Sequence, residues 1–416
     1  MVKRVLMIAF HFPPMRGSSG IQRTLKFARY LPQFGWQPAV LSAHPRAYAI
    51  TGQDQMNEIA ADMPVEHAFA LDTSRHLAFK GKYLGALALP DRWSSWWLGA
   101  VPRGLKMIRN LRPDVLWSTY PIATAHLIGY TLHRLTGIPW IADFRDPMTD
   151  EGYPTDPTVR KTFHWIERKT LAHCALAVFS TPGTIRDHQV RFPDIPASRF
   201  VLIENGYDEE NFAAAAADVQ PAPVGDRPLL LVHSGIIYPS ERDPGPFFEA
   251  LGQLLRDGAV SAATLQIVLR ATAHDSYLQP LIEKNGIGAI VSLAQPVPYR
   301  VALQEMLEAD GLLILQAGNC NSQIPAKLYE YLRAQRPILG LTDEAGDTCA
   351  SLRAAGIDTI APLDAPVAIA QELVRFLGLL RSGAAPVASS DAVAACSRQG
   401  RTLELAKLLD RVKLVK

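Results

Sequence analysis

Short apolar runs alternate with amphipathic segments along this chain, and near residue 228 the alternation begins anew. A short apolar run bounded by turn signals reads as a buried strand, and a following 3.6-residue period reads as a helix. Regular alternation of the two calls for a parallel sheet covered by helices on both faces. In the first stretch the predicted strands cover residues 4–10, 38–42, 114–118, 140–144, 175–180 and 200–203, with helices at 20–31, 99–111, 123–135 and 158–172. In the second, strands are predicted at 229–235, 263–270, 290–293, 311–316 and 337–341, and helices at 245–257, 275–285, 298–309, 325–335 and 344–355. The restart predicts an α/β protein of two doubly wound, Rossmann-like domains, 1–205 and 206–392, with a closing helix within 393–416. Asn211–Arg227, rich in Ala, Pro and acids, reads as a linker, and 382–392 reads as a second one.

A length of 416 residues suits two domains, each large enough for its own core. Four cysteines, Cys174, Cys320, Cys349 and Cys396, show neither metal-ligand nor disulfide spacing, which points to a reducing, cytoplasmic setting. The opening MVKRVLMIAFHFPP has too short an apolar run for a signal segment, and it reads as a first strand. No later segment is predicted to span a bilayer. Charge is uneven. Up to Glu204 there are 24 Lys/Arg against 16 Asp/Glu, a difference of +8, and the remainder has 18 against 24, a difference of −6. Without a strong basic stripe a nucleic-acid partner is not expected, whereas a basic first half is compatible with anionic lipid or a lipid-phosphate acceptor.

In two doubly wound domains, ligands sit at the C-terminal ends of the strands, here expected to face one cleft. Gly318–Leu339 places a polar loop before a helix that opens near Pro325 and carries Lys327 and Glu330. Helix-start N–H groups and a lysine favour a phosphate, and a glutamate accepts hydrogen bonds from a sugar diol, so this segment suits a nucleotide-sugar. After the first strand, Gly17, Ser18, Ser19 and Gly20 permit close backbone approach to an anion, or simply make a tight strand-to-helix connection. Asp143, Arg145 and Asp146 crowd the end of another strand, as site residues or as a local ion pair. Gly235 and Arg242 follow the first strand of the second half, and Glu204–Asp208 reads as a hinge. Residues 94–112 combine Trp96 and Trp97 with Arg103, Lys106, Arg109 and Arg112. They make an interfacial membrane contact, or a core helix with a basic outer face. Eleven histidines form no metal-binding pair, and no metal site is expected.

Taken in order, the loop Gly17–Gly20, Asn205-Gly206 with Asp208, Gly235 with Arg242, Glu330 before the Ala-Gln-Arg-Pro-Ile turn, and the terminal helix resemble the GT-B glycosyltransferases of family 4. The resemblance spans the whole chain. It implies a retaining, metal-independent transfer of sugar from a UDP- or GDP-type donor to a hydroxyl of a lipid-linked or cell-envelope glycan, at the inner face of the cytoplasmic membrane, and a terminal helix that crosses back to the first domain. Glu330 would bind the ribose, and Arg242 with Lys327 would neutralise the diphosphate. The Gly17–Gly20 loop would approach the donor phosphate, and Arg145, with Asp143 and Asp146 beside it, would lie near the donor sugar. Ser322 stands where the family often has the first of two glutamates, leaving backbone near Ile324 to meet the sugar. Ile236 and Asp243 interrupt the family's arginine–lysine pair. A GT-B sugar-nucleotide 2-epimerase and a non-catalytic partner of a glycan-assembly complex are the alternatives.

Overall fold

The computed structural model describes residues 2–16, 20–53, 55–150, 152–219 and 227–413. The chain divides into two compact units. One is formed by residues 1–204 with 398–416, the other by 205–397. The predicted Gly17, Ser18 and Ser19 lie outside the described residues.

The first unit is built on a seven-stranded sheet of order β3-β2-β1-β4-β5-β6-β7. Its strands are β1 (Lys3–Ile8), β2 (Trp36–Ala43), β3 (Val65–Ala68), β4 (Val115–Thr119), β5 (Trp140–Arg145), β6 (Leu176–Phe179) and β7 (Phe200–Leu202), all paired in parallel. Successive side chains serve opposite faces. Leu6 and Ile8 of β1 enter one core, while Val5 and Met7 enter the other. The sequence pattern missed β3, a four-residue edge strand only partly buried along its length. The final helix Arg398–Lys413 belongs to this unit and packs on the helix Gly20–Tyr30, with Leu405, Ala406 and Leu409 in the core and Asp410 accepting from Lys3 Nζ at 2.6 Å.

The second unit has a six-stranded parallel sheet of order β10-β9-β8-β11-β12-β13. The strands are β8 (Leu229–Ser234), β9 (Leu265–Arg270), β10 (Val291–Ala294), β11 (Gly311–Gln316), β12 (Ile338–Thr342) and β13 (Ile360–Ala361). Here too the alternation divides the sheet, with Leu231, Leu313 and Leu339 in one core and Val232, Leu312 and Ile338 in the other.

Part of the predicted linker is helical. Glu209–Ala216 is a helix, because the Asp208 carboxylate accepts from Asn211 N–H at its start and alanines, the strongest helix formers, fill its body. Phe212 and Ala215 are buried beneath it. A helix Pro366–Ser382, which the sequence reading left unassigned, packs on the helix Gly245–Arg256 through Ile369, Leu373 and Phe376. Helix 94–112 resolves as Ser95–Leu111, and its tryptophans belong to the fold. Trp96 is wholly buried, and the Trp97 indole donates to Thr131 Oγ1 at 3.0 Å. They are packing groups, as in the second of the two readings of this segment, a core helix with a basic outer face.

Candidate functional site

In an open parallel sheet the ligand crevice opens where the strand order reverses, beyond the strands' C-terminal ends. That point lies between β8 and β11 in the second unit and between β1 and β4 in the first.

At the β8/β11 point, Gly235 follows β8 and the loop 317–326 follows β11, ending on the helix Lys327–Ala334. Gln316, buried, ties this loop down by donating to the carbonyls of Cys320 (2.8 Å) and Gln323 (3.3 Å). The helix is docked on β8 by two residues one turn apart. Tyr331 Oη accepts from Ser234 N–H at 2.8 Å, and Lys327 Nζ lies 2.9 Å from His233 Nε2. His233 is fully buried, and its Nδ1 donates to the Leu313 carbonyl at 2.9 Å, so Nε2 is the acceptor for the lysine. Burial, then the Lys327 charge, holds the imidazole neutral, well below its ordinary pKa. Lys327 is likewise depressed well below the usual lysine range, first by burial and then by the Arg242 guanidinium, with Glu330 opposing. The residue as a whole is half-buried, but its amine sits deep, against the Gly235 backbone.

Gly235 is required twice over. Its φ is +116°, and a Cβ there would lie 3.0 Å from the Lys327 amine. Arg242 donates to the Ile236 carbonyl at 3.0 Å and lies over the Tyr238 ring, while its buried Nε has no partner among the described residues. No side chain caps the helix at Ala326. Two cations therefore converge on an uncapped helix start, and among the described residues neither has a carboxylate at ion-pair distance. That is the electrostatics of a phosphate-binding site. Three residues on from Lys327, Glu330 accepts from Tyr299 Oη at 2.6 Å, which aims a carboxylate oxygen at one fixed position.

At the β1/β4 point of the first unit the charges are answered internally. Asp143 is fully buried, and Arg23 binds both its oxygens at 3.0 and 2.8 Å, with Thr119 Oγ1 donating at 2.8 Å. The same arginine donates to the Glu204 and Ile203 carbonyls. Asp143 is thus a positioning residue for the chain leaving the unit. Two residues on, Arg145 has φ +62°, and Asp146 N–H donates to the Phe144 carbonyl at 2.7 Å, closing a tight γ-turn. Such a conformation is strained in a non-glycine residue and persists where surrounding structure holds it. The register shifts between Asp143 and Arg145, which re-aims the arginine at the strand end. Its Nη1 lies 3.4 Å from the Tyr120 carbonyl and its Nε has no partner among the described residues. Burial, then Arg145, pushes His11 down to about 4, so that imidazole is neutral near pH 7. Asp146 is exposed.

Residues 19–206 match the family described as Glycosyl transferase 4-like domain. Solved structures align with nearly the whole chain. Anabaena HepE in complex with UDP and glucose is 13% identical, with 99% of this chain and 100% of that one covered at a TM-score of 0.62. Sucrose-phosphate synthase from Thermosynechococcus elongatus is 13% identical, with coverage of 99% and 97% and a TM-score of 0.59. UDP-GlcNAc 2-epimerase from Neisseria meningitidis bound to UDP-GlcNAc is 11% identical, with coverage of 99% and 100% and a TM-score of 0.51. At these identities the likeness is one of fold, and the fold is GT-B. No curated protein matches the chain.

The second unit brings together Gly235, Arg242, Lys327 and Glu330 beyond the β8/β11 point. Ser322 is half-buried in the loop after β11, and the Ile324 side chain is packed in the core, leaving only its backbone to meet a ligand. In the first unit, Gly20 is the buried first residue of its helix. His233 and Tyr299 escaped the sequence reading. The histidine occupies what looks like an ordinary inward strand position, and the tyrosine lies 31 residues from the glutamate it touches. Among the described residues, no three His, Cys, Asp or Glu side chains are grouped to hold a metal, and no helix is long and apolar enough to cross a membrane.

Proposed function

We propose that the protein is a retaining glycosyltransferase that moves a sugar from a UDP- or GDP-type donor to a hydroxyl of a lipid-linked or cell-envelope glycan. The observation that carries the reading is the Lys327 amine, held by a neutral histidine beside Arg242 at an uncapped helix start. A buried cation set against a neutral acceptor is costly unless an anion answers it, and a diphosphate answers two cations at once. The second unit accordingly takes the donor. Glu330, oriented by Tyr299, receives the ribose hydroxyls, and backbone at Ser322 and Ile324 meets the sugar.

In the proposed reaction the bond between the anomeric carbon and the diphosphate oxygen breaks, and its electron pair passes to the diphosphate. The acceptor hydroxyl attacks from the same face, and a diphosphate oxygen takes its proton. Lys327 and Arg242 act by stabilising the charge that develops on the leaving group. The first unit takes the acceptor, and Asp143, bound by Arg23, holds the strand end that carries Arg145 and Asp146 in place.

The test is thermal denaturation with UDP, GDP, ADP, TDP and their sugar conjugates, with and without magnesium. A ligand at a hundred times its Kd adds about 2.7 kcal/mol. One nucleotide family should stabilise the native chain and fail to stabilise Lys327→Met. Absence of any shift overturns the reading. Product analysis of donor incubated without acceptor would expose an epimerised sugar and redirect the assignment to the epimerase.

A further inference from the structure

Residues 69–94 leave the edge strand β3 and return at the helix Ser95–Leu111. The base of this excursion is well tied. Thr73 Oγ1 and Ser94 Oγ both donate to the Leu87 carbonyl, at 2.9 and 2.8 Å, and Thr73 N–H donates to the Arg92 carbonyl at 2.8 Å. The Asp91 carboxylate accepts from Thr124 N–H and Oγ1, both at 2.9 Å, and from Trp93 N–H at 3.0 Å. Its tip is a two-residue hairpin. Phe79 and Lys82 exchange backbone hydrogen bonds at 2.8 and 3.1 Å across Lys80 and Gly81, whose φ values are +49° and +75°. Positive φ at both central residues is the turn that matches strand twist, so the tip has a defined shape.

That defined tip presents apolar groups outward. Phe79 is 77% exposed and Leu84 73%, with Leu77, Tyr83 and Leu87 also exposed, and Leu98 in the first turn of the following helix is 64% exposed. An exposed apolar cluster on a tethered projection is a binding surface by default. Its charge says for what. From residue 69 to Arg112 there are eight Lys/Arg and two carboxylates, Asp72 and Asp91, both engaged at the base of the excursion. Lys80, Lys82, Lys106 and Arg109 are exposed. Lysines interleaved with aromatic and aliphatic side chains on a projecting turn suit a headgroup layer. There the apolar bodies sink, the ammonium groups stay at the phosphates, and a tyrosine rests at the boundary.

We propose that the hairpin tip around Phe79 and Leu84, with Lys80 and Lys82, inserts into the headgroup region of an anionic bilayer. The contact rests on exposed residues of the first unit alone, and it is read without nucleotide, so its failure and that of the donor assignment are distinguishable.

The experiment is flotation of the full chain with vesicles of phosphatidylcholine, with and without phosphatidylglycerol, at low and high salt. The chain should float only with the anionic vesicles and less so at high salt. Phe79→Ser/Leu84→Ser should lower the partition coefficient by roughly tenfold or more while leaving nucleotide stabilisation unchanged. Should that variant melt early, Lys80→Glu/Lys82→Glu, which alters only exposed charges, decides, and it should abolish flotation. Failure to float with anionic vesicles, or full flotation by the charge-reversed variant, overturns the proposal. So does a dimer in solution that Phe79→Ser/Leu84→Ser dissolves while the native chain ignores vesicles, since the surface would then face a second copy.

Discussion

The two units end their central strands in opposite electrostatic styles. In the first, buried charge is answered on the spot. Asp143 is gripped by Arg23 and Thr119, and Glu167 is met by His188 at 3.1 Å, Arg191 at 2.6 Å and Thr149 at 2.6 Å. Burial would raise the Glu167 carboxyl, but His188 and Arg191 outweigh it and hold it below the usual range. In the second unit, Lys327 leans on a neutral histidine and is further repelled by Arg242. The contrast separates architecture from function. A buried pair specifies how elements meet, whereas a buried cation backed by a neutral group awaits an anion from outside.

The sharpest way to break this contrast is Lys327→Met. If the lysine serves the diphosphate, kcat should fall by about 10²–10³-fold, the usual worth of one preorganised charge-stabilising group. The ligand-free variant should melt no lower than the native chain at neutral pH, because it removes a desolvated amine. Loss of stability without loss of turnover would place Lys327 with the architectural charges. Arg23→Met probes the other side. It leaves the Asp143 carboxylate buried and unpaired, at a cost of about 3–5 kcal/mol measurable by denaturant unfolding, with nucleotide binding by the second unit retained. Gly235→Ala should weaken donor binding by about tenfold in titration calorimetry, since a methyl at φ +116° and 3.0 Å from the amine strains the loop and displaces Lys327.

A subtler measurement follows the proton. The Lys327 pKa is depressed in the folded, ligand-free protein relative to the unfolded chain, so the unfolded state binds more protons between those two values. Stability should therefore rise with pH in that window. The melting advantage of Lys327→Met should correspondingly shrink as pH climbs towards the unfolded lysine value near 10.4. A bound diphosphate favours the charged amine, so donor binding should take up a fraction of a proton, seen as a dependence of binding heat on buffer ionisation enthalpy. Equal heats in all buffers at every pH would show that the lysine is already fully charged.

Much of this was legible in the chain. Apolar runs of strand length, each followed by helical period, have few packings open to them, so the two parallel sheets follow from the pattern. Gly235 and Arg242 stood out because they follow a predicted strand, and Lys327 and Glu330 because they open a predicted helix behind a polar loop. Edge strand β3 and the two-residue β13 were not, because strands so short leave almost no periodic signal. The helix Glu209–Ala216 shows the converse. Its alanines read as a linker, although with a capping aspartate and two buried contacts they form a helix.

What the sequence determined by itself was the fold class and the chemical type of each site group, because periodicity and residue identity are local properties. What only the tertiary structure decided was the state of those groups. That Asp143 is bound up with an arginine 120 residues away, that Lys327 meets His233 across 94 residues, and that Trp96 is interior while Phe79 projects are facts of long-range contact. Charge state follows from burial and neighbours, and neither is written in the order of residues along the chain.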